Sequence, residues 1–386
     1  MLDLAAIIRA ATAEVPAFLA ELQSWVDIDS GSHDKAGVDR VGALVRARLE
    51  RSGFVVTVHA DASYGDHLVA RRTGSGSQRL LLVGHMDTVF PTGAVAQRPF
   101  TIRDGRAYGP GIFDMKSGIL GAITALDLLG AAVLDRYAAI TFLCNSDEEI
   151  GSPSSTPLIR AAARDADAVL VFEPVRDPQT VVVGRKGIAT YTLDVAGRSA
   201  HAGVMPDSGR NAIHEAAHLV MALQKLHRSL PSVSVNVGAI SGGGRRNVVP
   251  DQAQVLFEMR AANDDDFTAT KAAITAIIDG PRHVRDTVVT LTAGPEHQPL
   301  VPQGRSDGVI AVARATGAAL GLTIDPRHIG GASDGNTTGG MGIPTLDGLG
   351  LVGQHSHNPE EHIVIAAMPT RLALIAGIIA GLTATA

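Results

Sequence analysis

At 386 residues the chain is long for one domain and comfortable for two. A hydrophobic share of 45% and a charged share of 19% are those of an ordinary globular protein, and a net charge of −6 with no basic run interleaved with aromatics excludes a nucleic-acid surface. The single cysteine, Cys144, excludes an internal disulfide framework, and its place in an apolar run predicts a buried structural thiol.

Residues 1–26 open with Asp3 and lack a basic segment ahead of an apolar one, so they read as an amphipathic helix rather than a secretory leader. A cytoplasmic location is the resulting expectation. Strands are predicted at 54–59, 67–73 and 79–87, a helix at 115–129, a strand at 139–145, a helix at 156–164 and a strand at 168–172. That alternation predicts an α/β fold, a mostly parallel sheet flanked by helices. Sites in such sheets lie at the carboxyl ends of the strands. From about Gly187 the character changes: a strand at 187–197, a helix at 207–228, strands at 233–240 and 251–261, a helix at 264–279 and a strand at 286–293. This is the element order of a ferredoxin-like α+β sandwich. The expected organisation is a first domain split into 1–185 and 297–386, with 186–296 inserted between the halves. The second part opens with a helix at 306–320 and the glycine-rich stretch 330–340. The late apolar run 372–382 falls short of the roughly 20 residues that cross a bilayer, and the Ala-rich end of the chain reads as helical.

Chemistry concentrates where predicted strands end. The segments are Leu-Leu-Leu-Val-Gly-His-Met-Asp-Thr (80–88), Gly-Pro-Gly-Ile-Phe-Asp-Met-Lys (109–116), Phe-Leu-Cys-Asn-Ser-Asp-Glu-Glu (142–149), Val-Leu-Val-Phe-Glu-Pro (169–174) and, far downstream, Gln-His-Ser-His-Asn-Pro-Glu-Glu (354–361). Carboxylates and imidazoles beside apolar strands are costly unless cations neutralise them, and this donor set suits two divalent ions, zinc first, with cobalt or manganese as substitutes. His85 and Asp87 share a face of one strand, so Asp87 can orient the His85 imidazole. Asp114 follows a glycine-rich loop, and its short side chain suits a bridge between ions. Glu148 and Glu149 are adjacent and diverge if extended, one as general base (Glu148) and one as ligand (Glu149). Glu173, after four apolar residues, needs a cation. His355 and His357 alternate, and either could face the site. In the insert, His201 is either a structural histidine or, among small residues that would admit a substrate, a site residue; Asn247 lies in a hairpin loop, and Arg260 ends a strand among acidic neighbours that would engage it in a structural salt bridge.

These motifs resemble the zinc peptidase family that holds glutamate carboxypeptidase, aminoacylase and succinyl-diaminopimelate desuccinylase, in order over nearly the whole chain. The resemblance implies His85, Asp114, Glu149, Glu173 and His355 as metal ligands with Asp114 bridging, Glu148 as base and Asp87 as support. His355 is favoured over His357 because a glutamate, Glu360, follows a few residues later. The resemblance further implies that the insert is a lid and dimerisation domain forming a homodimer. His201 would stabilise the oxyanion in the partner subunit's site, and Asn247 and Arg260 would hold the substrate carboxylate. The implied substrate is a small peptide or N-acyl amino acid with a free carboxylate, cleaved as in the glutamate carboxypeptidase branch. An N-acetyl or N-succinyl amino acid deacylase is the near alternative, and a non-catalytic binding relative a distant one. One departure touches the branch: where those enzymes carry an arginine near the end of the lid, this chain has Pro295-Glu-His-Gln-Pro299.

Overall fold

A computed structural model describes residues 2–302 and 304–383. The chain divides into two compact units: one of residues 1–184, 302–329 and 333–386, the other of residues 185–301 with 330–332. The second unit thus runs five residues past the 296 boundary expected from sequence, because its last strand extends to His297 rather than stopping at Ala293.

The first unit is built on a six-stranded sheet in the spatial order Val55–His59, His67–Thr73, Ala139–Asn145, Arg79–His85, Ala168–Val171, Thr345–Leu346. The last four strands pair in parallel. The first two form an antiparallel hairpin on one edge, so the sheet is mixed there. Central strands read as unbroken apolar runs because both their faces are covered. Leu80 and Leu82 join a core with the helices Leu4–Val26, Ser117–Leu129, Asp307–Ala319 and Met368–Leu382. Leu81 and Val83 join a smaller core with the helix Thr156–Ala163. Cys144 is fully buried and unpaired, as its apolar surroundings predict.

The stretch Ile365–Leu382, at mean hydropathy 1.8, is long and apolar enough to cross a membrane by length and composition, contrary to the expectation from 372–382 alone. It is a core helix here, with Leu372, Leu374, Ile375, Ile378 and Ile379 at 0% exposure. The final residues of the Ala-rich end, 384–386, lie outside the described residues, as do Met1 and Gln303.

A second, four-stranded sheet was not foreseen. It sets Gly353–Gln354, His362–Val364, Arg106–Tyr108 and Thr101–Arg103 side by side. The hairpin loop between its first two strands is the segment that carries His355 and His357. Its neighbour strand runs directly into the Gly109–Asp114 loop.

The inserted unit has the strand order Ser234–Gly242, Gln252–Ala261, Gly187–Ala196, Val288–His297, all antiparallel, with the helices Ala212–Gln224 and Asp264–Asp279 on one face. Alternate residues Ala189, Tyr191, Leu193 and Val195 turn inward, as a half-covered sheet requires. The first helix begins at Ala212 rather than 207, because the Asn211 side chain accepts from His214 N and caps it there.

Arg371, fully buried on the core helix, donates to the carbonyls of Gly348, Gly350, Pro178 and Thr180, which closes the turn beside Glu173. No carboxylate is among these partners. Arg371→Met would orphan these carbonyls at about 1–3 kcal/mol apiece. Urea denaturation should show a loss of at least about 3 kcal/mol, and a loss indistinguishable from zero would mean that the turn is held by something else.

Candidate metal centre

The strand Arg79–His85 ends on a buried imidazole whose Nδ1 is 3.0 Å from the backbone carbonyl of Asp87. The Asp87 carboxylate is farther away, its Oδ1 3.4 Å from the same nitrogen. Asp87 is fully buried and accepts hydrogen bonds from Ser32 Oγ (2.7 Å), Glu148 N (3.2 Å) and Glu149 N (3.1 Å). It therefore ties the His85 strand to the two glutamates, a wider role than orienting one ring. It also explains why Glu148 and Glu149 lie in a single helical turn instead of the extended backbone expected from sequence. With both N–H groups drawn to one carboxylate the chain curls, and the side chains diverge even so. Glu148 Oε2 comes within 3.9 Å of His85 Nε2, while Glu149 Oε2 is 3.2 Å from His357 Nε2.

Asp114 stands between the imidazoles. Its Oδ1 is 3.2 Å from His85 Nε2 and its Oδ2 is 3.3 Å from His357 Nε2. Glu173 Oε1 lies 3.7 Å from His85 Nε2. Two ligand groups result, His85–Asp114–Glu173 and Asp114–Glu149–His357, with donor atoms within 4.8 Å of one another and Asp114 common to both. The chain approaches Asp114 through Gly111 at φ +70°, where an added Cβ would meet Thr88 Cγ2 at 2.3 Å. Asp114 itself is non-helical, and the helix begins at Ser117 rather than at Met115.

The structure brings a different histidine to this cluster from the one expected. His357, not His355, reaches the carboxylates. Both residues have left-handed backbone (φ 60° and 66°), so the loop curls instead of alternating. His355 turns away, its ring 5.7 Å from that of His362. Glu360, whose position favoured His355, is exposed and paired with Arg103 at 2.7 Å. The buried glutamate is Glu361, four residues after His357, and the sequence reading passed over it. Its Oε1 accepts from Phe113 N (2.8 Å) and Asp114 N (2.9 Å), and its Oε2 from Gly111 N (3.1 Å). One side chain thus clamps the Asp114 loop to the His357 loop. Asp334 was missed too; buried in the glycine-rich stretch, it accepts from Ser152 Oγ and Asn145 Nδ2.

Charge decides what this cluster can hold. Burial pushes the Glu148 carboxyl well above its usual range; His85 pulls it down, while Glu173 and Asp334 push it further up. Burial also raises Glu149, and Glu149 Oε1 is buried with no hydrogen-bond partner. Burial opposes ionising Asp114, yet bonds from His357 and His85 hold it below the carboxylate range. The bonds to Asp114 and Glu149 lift His357 to about 10. Buried carboxylates in such excess over imidazoles, one with an oxygen that has no hydrogen-bond partner, form the donor set that divalent cations neutralise. The residues fit a metal pair.

In the inserted unit the three expected residues have local partners. His201 is exposed, its Nδ1 accepting from Gly203 N at 3.1 Å. Asn247 is exposed and its carbonyl accepts from Ala202 N. Arg260 is engaged by Glu258, with Nε–Oε1 at 2.8 Å, and by the Gly330 carbonyl at 3.0 Å.

Because the Glu361 clamp sets the Asp114 backbone, Glu361→Gln, which loses one acceptor oxygen, should weaken divalent-ion affinity by about 10–100-fold. Retention of metal through dialysis against a graded chelator series measures this, and unchanged retention would leave the clamp without a part in binding.

Residues 81–381 match the family described as Peptidase family M20/M25/M40. The chain is 33% identical over 388 residues to carboxypeptidase G2 of Pseudomonas sp. (strain RS-16), covering 98% of this chain and 92% of that one. It is also 33% identical over 343 residues to succinyl-diaminopimelate desuccinylase of Azoarcus sp. (strain BH72), covering 84% and 88%. Among solved structures, the fold is similar to aminopeptidase PepT from Bacillus cereus (TM-score 0.79, 22% identity, 95% and 98% covered). It is similar as well to a dinuclear metal-binding peptidase of the M20 family from Bacillus subtilis (TM-score 0.72, 15% identity, 97% and 100% covered). The chain belongs to peptidase family M20/M25/M40, and is an enzyme of the metallopeptidase and amidohydrolase type.

Proposed function

We propose that the enzyme is a dinuclear zinc hydrolase that releases an amino acid with a free carboxylate from a peptide or an N-acyl derivative. The observation that carries this is Asp114, whose two oxygens face two different imidazoles at 3.2 and 3.3 Å, each imidazole flanked by its own glutamate. His85 and Glu173 would hold one ion, Glu149 and His357 the other, and Asp114 both. When bound, such a pair supplies Lewis-acid polarisation of the scissile carbonyl and makes water nucleophilic at neutral pH.

Glu148 is the general base. It bonds to neither imidazole at hydrogen-bond distance, and burial raises its affinity for a proton. It takes the proton of the attacking water and returns it to the leaving amine. Asp87 keeps Glu148 in place through its backbone N–H. In the inserted unit, His201 would donate to the developing oxyanion. Arg260 and Asn247 would take the substrate carboxylate, which would replace Glu258 as the partner of the guanidinium. The unit would act as a lid and as the contact of a homodimer in the cytoplasm. The likeness to a desuccinylase favours, as a second reading, an N-acyl amino acid as substrate in place of a peptide.

Glu148→Gln should retain metal while kcat falls about 10²–10⁴-fold, whereas Glu149→Gln should lose metal first; metal analysis beside single-turnover kinetics separates them, and the reverse pattern exchanges the two roles. A panel of Glu- and Asp-terminated peptides against acetyl and succinyl amino acids should show turnover that chelation abolishes. Turnover undiminished in exhaustively chelated enzyme would end the metal reading, and preference within the panel decides between the two substrates.

A further inference from the structure

The inserted unit carries a separate cluster of imidazoles that the hydrolytic reaction does not use. His214 and His218 are one helical turn apart on Ala212–Gln224, within the run His214-Glu-Ala-Ala-His218, and so share a face. His283, on the loop after the helix Asp264–Asp279, meets them there. The His218 and His283 rings are 3.2 Å apart, centroid to centroid, and His214 lies 4.7 Å from His283 and 5.1 Å from His218. A ring nitrogen from each falls within 4.8 Å of the others, and all three side chains are exposed.

The loop is seated rather than loosely placed. Glu215, buried at 1% exposure, accepts from Val284 N at 2.6 Å and so fixes the residue next to His283 to the histidine helix. Arg210 grips Asp286 through Nε and Nη2, both at 3.0 Å, three residues beyond His283. This also settles what the His-Glu-Ala-Ala-His run does. Where that spacing makes a protease, its glutamate faces the metal as general base. Here Glu215 is turned inward and occupied by a backbone N–H, so the face that remains is purely a ligand face.

We propose that His214, His218 and His283 form a surface site for one divalent transition-metal ion. Three imidazoles with no carboxylate select zinc, copper or nickel over magnesium or calcium. Tetrahedral zinc, with Zn–N of about 2.0–2.1 Å, sets its nitrogens about 3.3 Å apart. Rotation of exposed rings closes the remaining distance. The ion would cross-link helix and loop, adding a third tie to those made by Glu215 and Arg210.

The test is zinc stoichiometry of the full-length enzyme by equilibrium dialysis against buffered Zn²⁺. Wild type should hold one ion per chain more than His218→Gln/His283→Gln, whatever number the Asp114 centre takes. Each single variant, His214→Gln included, should weaken that extra ion by at least about tenfold. Hydrolytic activity should be unchanged throughout, and excess Mg²⁺ should not displace the ion. Circular dichroism melting without metal checks that the variants fold, which replacement of exposed side chains allows. Equal stoichiometry in wild type and double variant, or an extra ion indifferent to all three substitutions, overturns the site.

Discussion

The centre depends on one buried carboxylate that faces no metal. Asp87 has no exposure to water, so each of its oxygens must be satisfied from within, and the donors it recruits are Ser32 and the N–H groups of Glu148 and Glu149. Its own carbonyl fixes the His85 ring. Glu148, Glu149 and His85 are thus held to one residue by buried bonds. A buried acceptor left unpaired costs more than a made bond contributes, so the arrangement is enforced by penalty as much as by attraction.

The second constraint is charge. Asp87, Asp114, Glu148, Glu149 and Glu173 converge on His85 and His357, where burial opposes ionisation of Glu148 and Glu149. The protein meets part of this demand with backbone N–H groups, through Asp87 and Glu361, and leaves the rest to the metal pair. Such a division suits a hydrolase: Asp87 and Glu361 are held by backbone N–H groups, while one oxygen of Glu149 has no hydrogen-bond partner.

Much of this was legible in the sequence because strand ends announce themselves. An apolar run stopping on His85, on Glu148–Glu149 or on Glu173 has few physical meanings, and the strand–helix order of the insert is a topology in itself. Residues in irregular backbone were harder to read. His355 and His357 could not be separated by counting, since alternation applies to strands and these residues lie in a left-handed curl. Glu361 and Asp334 escaped because nothing marks a carboxylate as buried until the loop it clamps is known. Arg260 illustrates the converse: its neighbour Glu258, two residues away on the same strand, was visible and does engage it.

The Glu361 clamp has a consequence for how the enzyme comes into being. The Asp114 loop and the residue that accepts its N–H groups lie 247 and 248 residues apart along the chain, so the loop is made long before its clamp. Until residues 357–361 are present, the N–H groups of Gly111, Phe113 and Asp114 lack the acceptor that holds them. The clamped Asp114 geometry therefore arises only once residues 357–361 have been made.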